Sequence, residues 1–214
     1  MLHYPTIVIH GFLANALTNL PIHIALRRKG LETHDVPIPG LNTINVERGT
    51  QILADKVNQV LSESASSRVN LVGVSKGGVI ALNYLRRYQG HKVTHKAIML
   101  GSPLNGTPIV GKIHKLPGIG KHAAELLPNS RLMQQLHGTA PVNSTSTAEV
   151  ISIYADGDVL VNKNAATVPE ARVVKAPKGV WPLGHYQLVV DPANLQLIAA
   201  ELTNQQFETI KLSG

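Results

Sequence analysis

Short apolar runs alternate along the chain with longer segments in which apolar residues recur every three or four positions. The first pattern is typical of buried strands and the second of amphipathic helices. Strands are predicted at residues 6–10, 33–37, 69–74, 96–100, 150–154 and 171–175. Helices are predicted at residues 19–29, 46–62, 76–88 and 192–202. This alternation predicts an α/β fold in which helices cover both faces of a mostly parallel sheet of about six strands.

Composition fits one globular domain over residues 1–214, because 43% of the residues are apolar and 15% are charged. No cysteine is present, which excludes disulfides, thiolate metal sites and cysteine nucleophiles. The net charge is +7, but the basic residues are scattered and the chain has only two Phe, five Tyr and one Trp. We therefore expect no nucleic-acid partner.

The apolar runs are all too short to span a membrane, so no transmembrane segment is predicted. The N-terminal apolar run is also too short for a signal peptide and lacks a basic start. A cytoplasmic location is the expectation, with secretion as the alternative if the chain is a mature form.

The strand at residues 69–74 runs into the sequence Gly-Val-Ser-Lys-Gly, and a helix is predicted to begin at once. A G-x-S-x-G between strand and helix is the sequence form of a nucleophile elbow. Such a turn projects the Ser75 hydroxyl from the sheet edge, and Gly73 and Gly77 leave room where side chains would collide across it. The sequence therefore predicts Ser75 as a catalytic nucleophile.

A serine nucleophile needs a histidine base, which in turn needs an orienting carboxylate. In enzymes that use this turn, the acid and then the histidine follow the serine along the chain. Among the ten histidines, His185 alone follows the last predicted strand, in a turn before the closing helix. Both Asp156 and Asp158 follow the strand at residues 150–154. Asp156-Gly157 is typical of a turn, which favours Asp158 as the acid.

Two backbone amides are needed to bind the oxyanion of an acyl-transfer reaction. One is the amide of Lys76, which follows the serine at a helix N-terminus. The second is expected after the first strand, where a His10-Gly11 turn directs the amide of Phe12 toward the site. In this interpretation His10 is a structural histidine.

The sequence resembles the small bacterial lipases and esterases of the α/β-hydrolase superfamily over nearly its whole length. The similar stretches are IVIHGF, LVGVSKGG, AIMLGSPLNGTPI, ELLPNSRLMQQL, YADGDVLV and GHYQLVVDP. The resemblance implies a minimal α/β-hydrolase fold with Ser75 as nucleophile, Asp158 as acid and His185 as base. It also implies that Phe12 and Lys76 donate the oxyanion-hole amides.

Two departures from these lipases stand out. These lipases usually carry a neutral residue where this chain has Lys76. Only the backbone amide of this residue is needed for catalysis, so the charge of its side chain bears on substrate preference. The first predicted strand also corresponds to the third strand of the full α/β-hydrolase fold. The resemblance therefore implies a six-stranded sheet without the first two strands of that fold.

The function implied is hydrolysis of acyl esters, lipid-like ones above all, through an acyl-enzyme and without a cofactor or metal. A thioesterase or acyltransferase with the same triad is an alternative, as is a non-catalytic binding protein with this fold. The residues do not indicate the oligomeric state.

A segment at about residues 102–148 breaks the alternation of strands and helices. It is rich in proline and glycine and has short helical patterns at residues 122–127 and 130–137. Its apolar residues include Leu116, Ile119, Leu126, Leu127, Leu132 and Leu136. We expect a lid or wall over the acyl pocket, and the alternative is that these residues complete the core.

Overall fold

The structure, a computed structural model, describes residues 3–112, 120–139, 148–181 and 184–204. One sheet has the spatial order β2-β1-β3-β4-β5-β6, and every neighbouring pair of strands is parallel. The strands are β1 (Thr6–Ile9), β2 (Thr33–Asp35), β3 (Val69–Val74), β4 (Thr94–Leu100), β5 (Glu149–Tyr154) and β6 (Ala171–Lys175). The predicted α/β class and six-stranded sheet are confirmed.

The helices are α1 (Leu20–Arg27), α2 (Val46–Ser64), α3 (Lys76–Arg87), α4 (Gly120–Ala123), α5 (Arg131–Gly138) and α6 (Pro192–Thr203). Capping side chains fix where three of them begin: Asn45 accepts a bond from the Arg48 amide at 2.7 Å, Ser130 accepts one from the Met133 amide at 3.2 Å, and Asp191 accepts one from the Ala193 amide at 2.9 Å. The apolar pattern did not indicate the short 3₁₀ turns, which include Ala16–Asn19, Gly40–Asn42 and His185–Val189.

Alternate residues of the strands face opposite layers of helices. In β1, Ile7 and Ile9 pack in the cluster that includes α2, α3 and α5, whereas Val8 packs in the cluster that includes α1 and α6. Both clusters consist of buried and mostly aliphatic side chains, which explains why the strands are apolar almost without interruption. In the described part of the chain, no helix is long and apolar enough to cross a membrane.

The described leucines of the segment at 102–148 belong to the core. Leu126, Leu132 and Leu136 are buried, and Leu127 packs against the same cluster as α2 and α3. Leu116, Ile119 and the neighbouring His114 lie outside the described residues. These contacts agree with the alternative that the segment completes the core. That the segment also forms a lid or wall over an acyl pocket stays a prediction.

The order of the strands places a crevice between the C-terminal ends of β1 and β3. From β1 the chain passes through α1 to β2 on one side, and from β3 it passes through α3 to β4 on the other. The two helices belong to opposite layers. Open α/β sheets bind ligands where the strand connections diverge in this way. This edge of the sheet is where Phe12 and Ser75 lie.

Candidate active site

Ser75 occupies a sharp turn between β3 and α3. Its backbone has φ 53° and ψ −121°, a conformation that is costly for a residue with a side chain. The Ser75 amide donates a hydrogen bond to the carbonyl of Leu100 at 2.9 Å, which ties the turn to the end of β4. The strained residue between strand and helix is the geometry that the G-x-S-x-G pattern predicts.

Close backbone approach explains the two glycines beside Ser75. A Cβ added at Gly73 would lie 2.5 Å from the Cα of Gly78, and one added at Gly77 would lie 2.2 Å from the carbonyl oxygen of Ile9. Neither distance is possible for a real side chain. The turn therefore requires glycine at both positions.

Asp158 and His185 form a buried pair at the same edge of the sheet. Nδ1 of His185 lies 2.6 Å from Oδ2 of Asp158, and their side chains are 4% and 0% exposed. The other oxygen, Oδ1, accepts hydrogen bonds from the amides of Leu160 and Val161 at 2.9 and 3.1 Å. The apolar triplet after Asp158 thus holds the carboxylate through its backbone.

Asp156 is placed quite differently, although it is only two residues away. Its carboxylate is 61% exposed and pairs with the exposed Lys175 at 2.5 Å. Gly157 takes the left-handed conformation with φ 84°, so the chain turns between the two aspartates. The structure brings Asp158 to His185 and leaves Asp156 at the surface.

The imidazole of His185 packs beside the end of β4, next to the serine turn. A Cβ added at Gly101 would lie 3.0 Å from Cε1 of His185, and Gly101 follows the residue that bonds the Ser75 amide. Within the described residues, Nε2 of His185 is buried without a hydrogen-bond partner. Among the described contacts, no hydrogen bond joins Ser75 and His185.

The two predicted oxyanion donors lie on either side of the serine turn. Lys76 is the first residue of α3, so its amide has no partner within the helix. Phe12 lies in the turn after β1, and the preceding Gly11 touches the serine closely: a Cβ added there would lie 3.1 Å from Cβ of Ser75. Both amides therefore belong to segments adjoining Ser75.

Tyr186 is a site residue that the sequence did not indicate. Its hydroxyl donates a hydrogen bond to the carbonyl of Phe12 at 2.6 Å, although part of its ring is exposed. Burial of the hydroxyl raises the pKa of Tyr186 to about 12, so it remains a donor. The residue after His185 thus fixes the loop that carries Phe12. Its place directly after His185 in the sequence was the only available signal.

His10 lies beside the turn that carries Phe12, and a structural role for it stays a prediction. It is buried, its Nδ1 lies 3.2 Å from the carbonyl oxygen of Gly11, and burial lowers its pKa. The side chain of Lys76, by contrast, was expected near the substrate as a charge. It is fully buried instead and directs its amine toward two backbone carbonyls.

No protein-family model matches the sequence, and no curated protein matches it. Solved structures do match. The Bacillus licheniformis lipase BlEst2 in its propeptide form has a TM-score of 0.76 and 14% identity over 99% of this chain and 52% of that one. Aspergillus fumigatus lipase B has a TM-score of 0.75 and 15% identity over 99% of this chain and 55% of that one.

A thermophilic esterase from Thermogutta terrifontis has a TM-score of 0.61 and 15% identity, over 94% of this chain and 90% of that one. The chain spans about half the length of the two lipase structures given first. At such low identity the likeness establishes the fold alone. The chain has the α/β-hydrolase fold, in the six-stranded form described above.

Proposed function

We propose that the protein is a serine hydrolase that cleaves carboxylic esters through an acyl-enzyme. The observation that carries the proposal is the buried Asp158–His185 pair, 2.6 Å apart, at the sheet edge where Ser75 occupies a strained turn. A buried carboxylate bound to one imidazole nitrogen leaves the other nitrogen to act as a base. Nε2 of His185 has no partner among the described residues and is free for that role.

The proposed reaction begins when Ser75 Oγ attacks the ester carbonyl carbon and its proton passes to Nε2 of His185. Asp158 holds the tautomer and stabilises the imidazolium. The Phe12 and Lys76 amides donate to the oxyanion of the tetrahedral intermediate, and each donor contributes roughly 3 kcal/mol. His185 then protonates the leaving alcohol. Water hydrolyses the acyl-enzyme with His185 again as base, which releases the acid, and no metal or cofactor takes part.

The surface around this edge supports a lipid-like substrate. Among the described residues, large apolar side chains are exposed at Leu13, Leu17, Leu20, Ile24, Leu41, Val159, Trp181, Tyr186 and Val190. All of them lie in connections that leave the C-terminal ends of strands or in the first two turns of α1. Leu20 and Ile24 line a groove between α1 and α6, whereas the other seven follow the C-terminal ends of strands, on the side of the sheet where Ser75 lies. Exposed apolar surface of this kind marks a binding surface. It suits acyl chains better than small polar esters.

A fluorophosphonate probe tests the proposed nucleophile, because it modifies activated serines. We expect stoichiometric labelling of the wild type and none of Ser75→Ala. Ser62→Ala is the matched control, since Ser62 is exposed near the far end of α2. Equal labelling of the wild type and Ser75→Ala, or no labelling of the wild type, would contradict the proposal.

A panel of esters and thioesters of increasing acyl length tests the substrate class. We expect the highest kcat/KM for oxygen esters of medium or long chains. A preference for thioesters, or transfer to an added alcohol faster than hydrolysis, would replace the ester hydrolase with a thioesterase or acyltransferase.

A further inference from the structure

Lys76 carries a cationic side chain in a place where lysine is rarely found. The whole side chain is inaccessible to solvent, and it is the largest such side chain among the described residues. Lysine is almost never fully buried unless its amine is paired. Burial lowers the pKa of Lys76 to about 8, while the carboxylate of Glu125 acts in the opposite direction. Such burial calls for a specific set of partners.

The partners of the amine are backbone carbonyls in the loop after β2. Nζ of Lys76 donates to the carbonyl of Asn42 at 2.9 Å and to that of Ile44. This loop includes the turn Gly40–Asn42, where Leu41 and Asn42 both have positive φ, 54° and 55°. Left-handed backbone at two successive residues with side chains is costly. The lysine amine therefore holds a strained turn in place.

The same turn reaches the loop that carries Phe12. Nδ2 of Asn42 donates to the carbonyl of His10 at 2.7 Å. Nζ of Lys76 also lies 5.2 Å from the centroid of the Phe12 ring, within the range of a cation–π contact. Lys76 thus contacts Phe12 directly and is linked to His10 through Asn42, and these two residues lie on either side of Gly11.

We propose that Lys76 is a positioning residue for the oxyanion hole. Its side chain holds the loops after β1 and β2 against the start of α3 and thereby fixes the position of the Phe12 amide. The inference rests on the proposed function. One residue then serves both donors: its backbone supplies one amide, and its side chain orients the segment that supplies the other.

The chemistry explains why a lysine suits this role. Its ammonium has three donors on a flexible stem, and two of them bond the carbonyls of Asn42 and Ile44. A methionine has nearly the same length but no donor. Replacing Lys76 with methionine removes the contacts and leaves the backbone amide of residue 76 in place.

The test is Lys76→Met against Lys92→Met, whose lysine is exposed and lies beyond the opposite end of α3. Rates are normalised to fluorophosphonate-labelled sites, which removes any loss of folded protein. Loss of an oxyanion donor costs about a hundredfold to a thousandfold in kcat, so a displaced donor should cost about tenfold to fiftyfold. We expect KM to change less than about twofold, because the donor acts in the transition state.

Hydrogen exchange gives a second readout. The amides of Asn42 and Thr43 donate within the turn, to the carbonyls of Pro39 and Gly40. These two amides should exchange faster in Lys76→Met than in the wild type, and their exchange rates should be unchanged in Lys92→Met. A kcat within twofold of the wild type, a rise in KM alone, or unchanged exchange would each overturn the proposal.

If Lys76→Met does not fold, the variant Asn42→Gly takes its place in the test. Glycine accepts the left-handed backbone, and the substitution removes the side-chain amide that bonds the carbonyl of His10. We then expect a loss of about threefold to tenfold in kcat with KM unchanged, and no loss would overturn the proposal. If the wild type neither hydrolyses esters nor takes the probe, the proposed function fails. Exchange at Asn42 and Thr43 then still decides whether Lys76 holds the turn.

Discussion

Two groups of residues flank Ser75, and they are held in different ways. On the side that we propose supplies the acid and the base, called the acid–base side, Asp158 and His185 bond to each other through their side chains at 2.6 Å. On the side proposed to bind the oxyanion, called the oxyanion side and comprising Phe12, Asn42 and Lys76, the side chains of Asn42 and Lys76 bond to backbone carbonyls instead. The first group depends on the identity of two side chains. The second depends on where a backbone amide lies.

This difference predicts two kinds of response to substitution. A change on the acid–base side removes a chemical group from the reaction, so the loss is large and nearly complete. A change on the oxyanion side shifts a donor that is still present, so the loss is graded. The following experiments separate the two responses, beginning with the largest expected effect.

Removing the nucleophile or the base should abolish hydrolysis. Ser75→Ala and His185→Ala are each expected to lower kcat by about four to six orders of magnitude, because triad members act as a unit. Circular dichroism should show that both variants stay folded. Activity within tenfold of the wild type in either variant would remove that residue from the mechanism.

The two neighbouring aspartates give the sharpest contrast on the acid–base side. Asp158→Asn should lower kcat by up to about ten-thousandfold, since asparagine favours the wrong imidazole tautomer. Asp156→Asn should change kcat by less than about twofold, because that carboxylate forms only an exposed ion pair. Steady-state kinetics of both variants check this, and the reverse order would make Asp156 the acid.

Lys76 predicts a dependence of stability on pH. Its pKa falls from 10.5 to about 8 on folding, so the folded protein binds this proton less tightly than the unfolded chain. The stability cost is full below pH 8 and disappears as the pH rises toward 10.5. Relative to Lys76→Met, the wild type should therefore gain about 2 kcal/mol between about pH 7 and about pH 9.5.

Urea unfolding of both proteins at the two pH values measures this gain. Glu125 favours protonation of the lysine, and the charge of the lysine in turn lowers the pKa of His10. Both Glu125 and His10 are present in the variant, so most of their own titration cancels in the difference. A constant difference in unfolding free energy would show that the amine does not lose its proton on folding in this range.

Tyr186 should show the graded response of the oxyanion side. Tyr186→Phe removes the hydroxyl that bonds the carbonyl of Phe12, and we expect kcat to fall about threefold to tenfold. Tyr4→Phe is the control, because Tyr4 precedes β1 at the opposite edge of the sheet. A loss as large as that of Asp158→Asn would place Tyr186 among the groups that act in the chemistry.

The smallest effect is expected in the segment at 102–148. If it forms a wall of the acyl pocket, Leu132→Ala should lower turnover of long-chain esters about twofold to threefold more than that of acetates. The ratio of the two rates cancels any loss of folded protein, which matters because Leu132 packs in the core. An unchanged ratio of the two rates would show that Leu132 packs in the core and does not form a wall of the acyl pocket.

The contact between Asp158 and His185 and the strained turn at Ser75 could be predicted from the sequence, because both follow from residue type and order along the chain. Ser75 stands in a glycine pattern that only a tight turn requires, and Asp156-Gly157 indicated the turn that leaves Asp158 beyond it. The strands were equally predictable, since a sheet buried on both faces leaves uninterrupted apolar runs.

The oxyanion side could not be predicted in the same way. The bond from Lys76 to the loop after β2 joins residues more than thirty positions apart, and its acceptors are carbonyls that every residue has. The left-handed turn at Leu41 and Asn42 also follows no residue preference strong enough to reveal it, because leucine rarely adopts it. Backbone contacts of this kind become visible only in three dimensions.

The most direct test of the account is to trap the acyl-enzyme. The wild type is mixed with an activated ester, quenched in acid and measured by intact mass, and the modified peptide is then identified. We expect one acyl group per chain, carried by Ser75, and none in Ser75→Ala. An acyl group on another residue, or ester hydrolysis by Ser75→Ala at the wild-type rate, would contradict it.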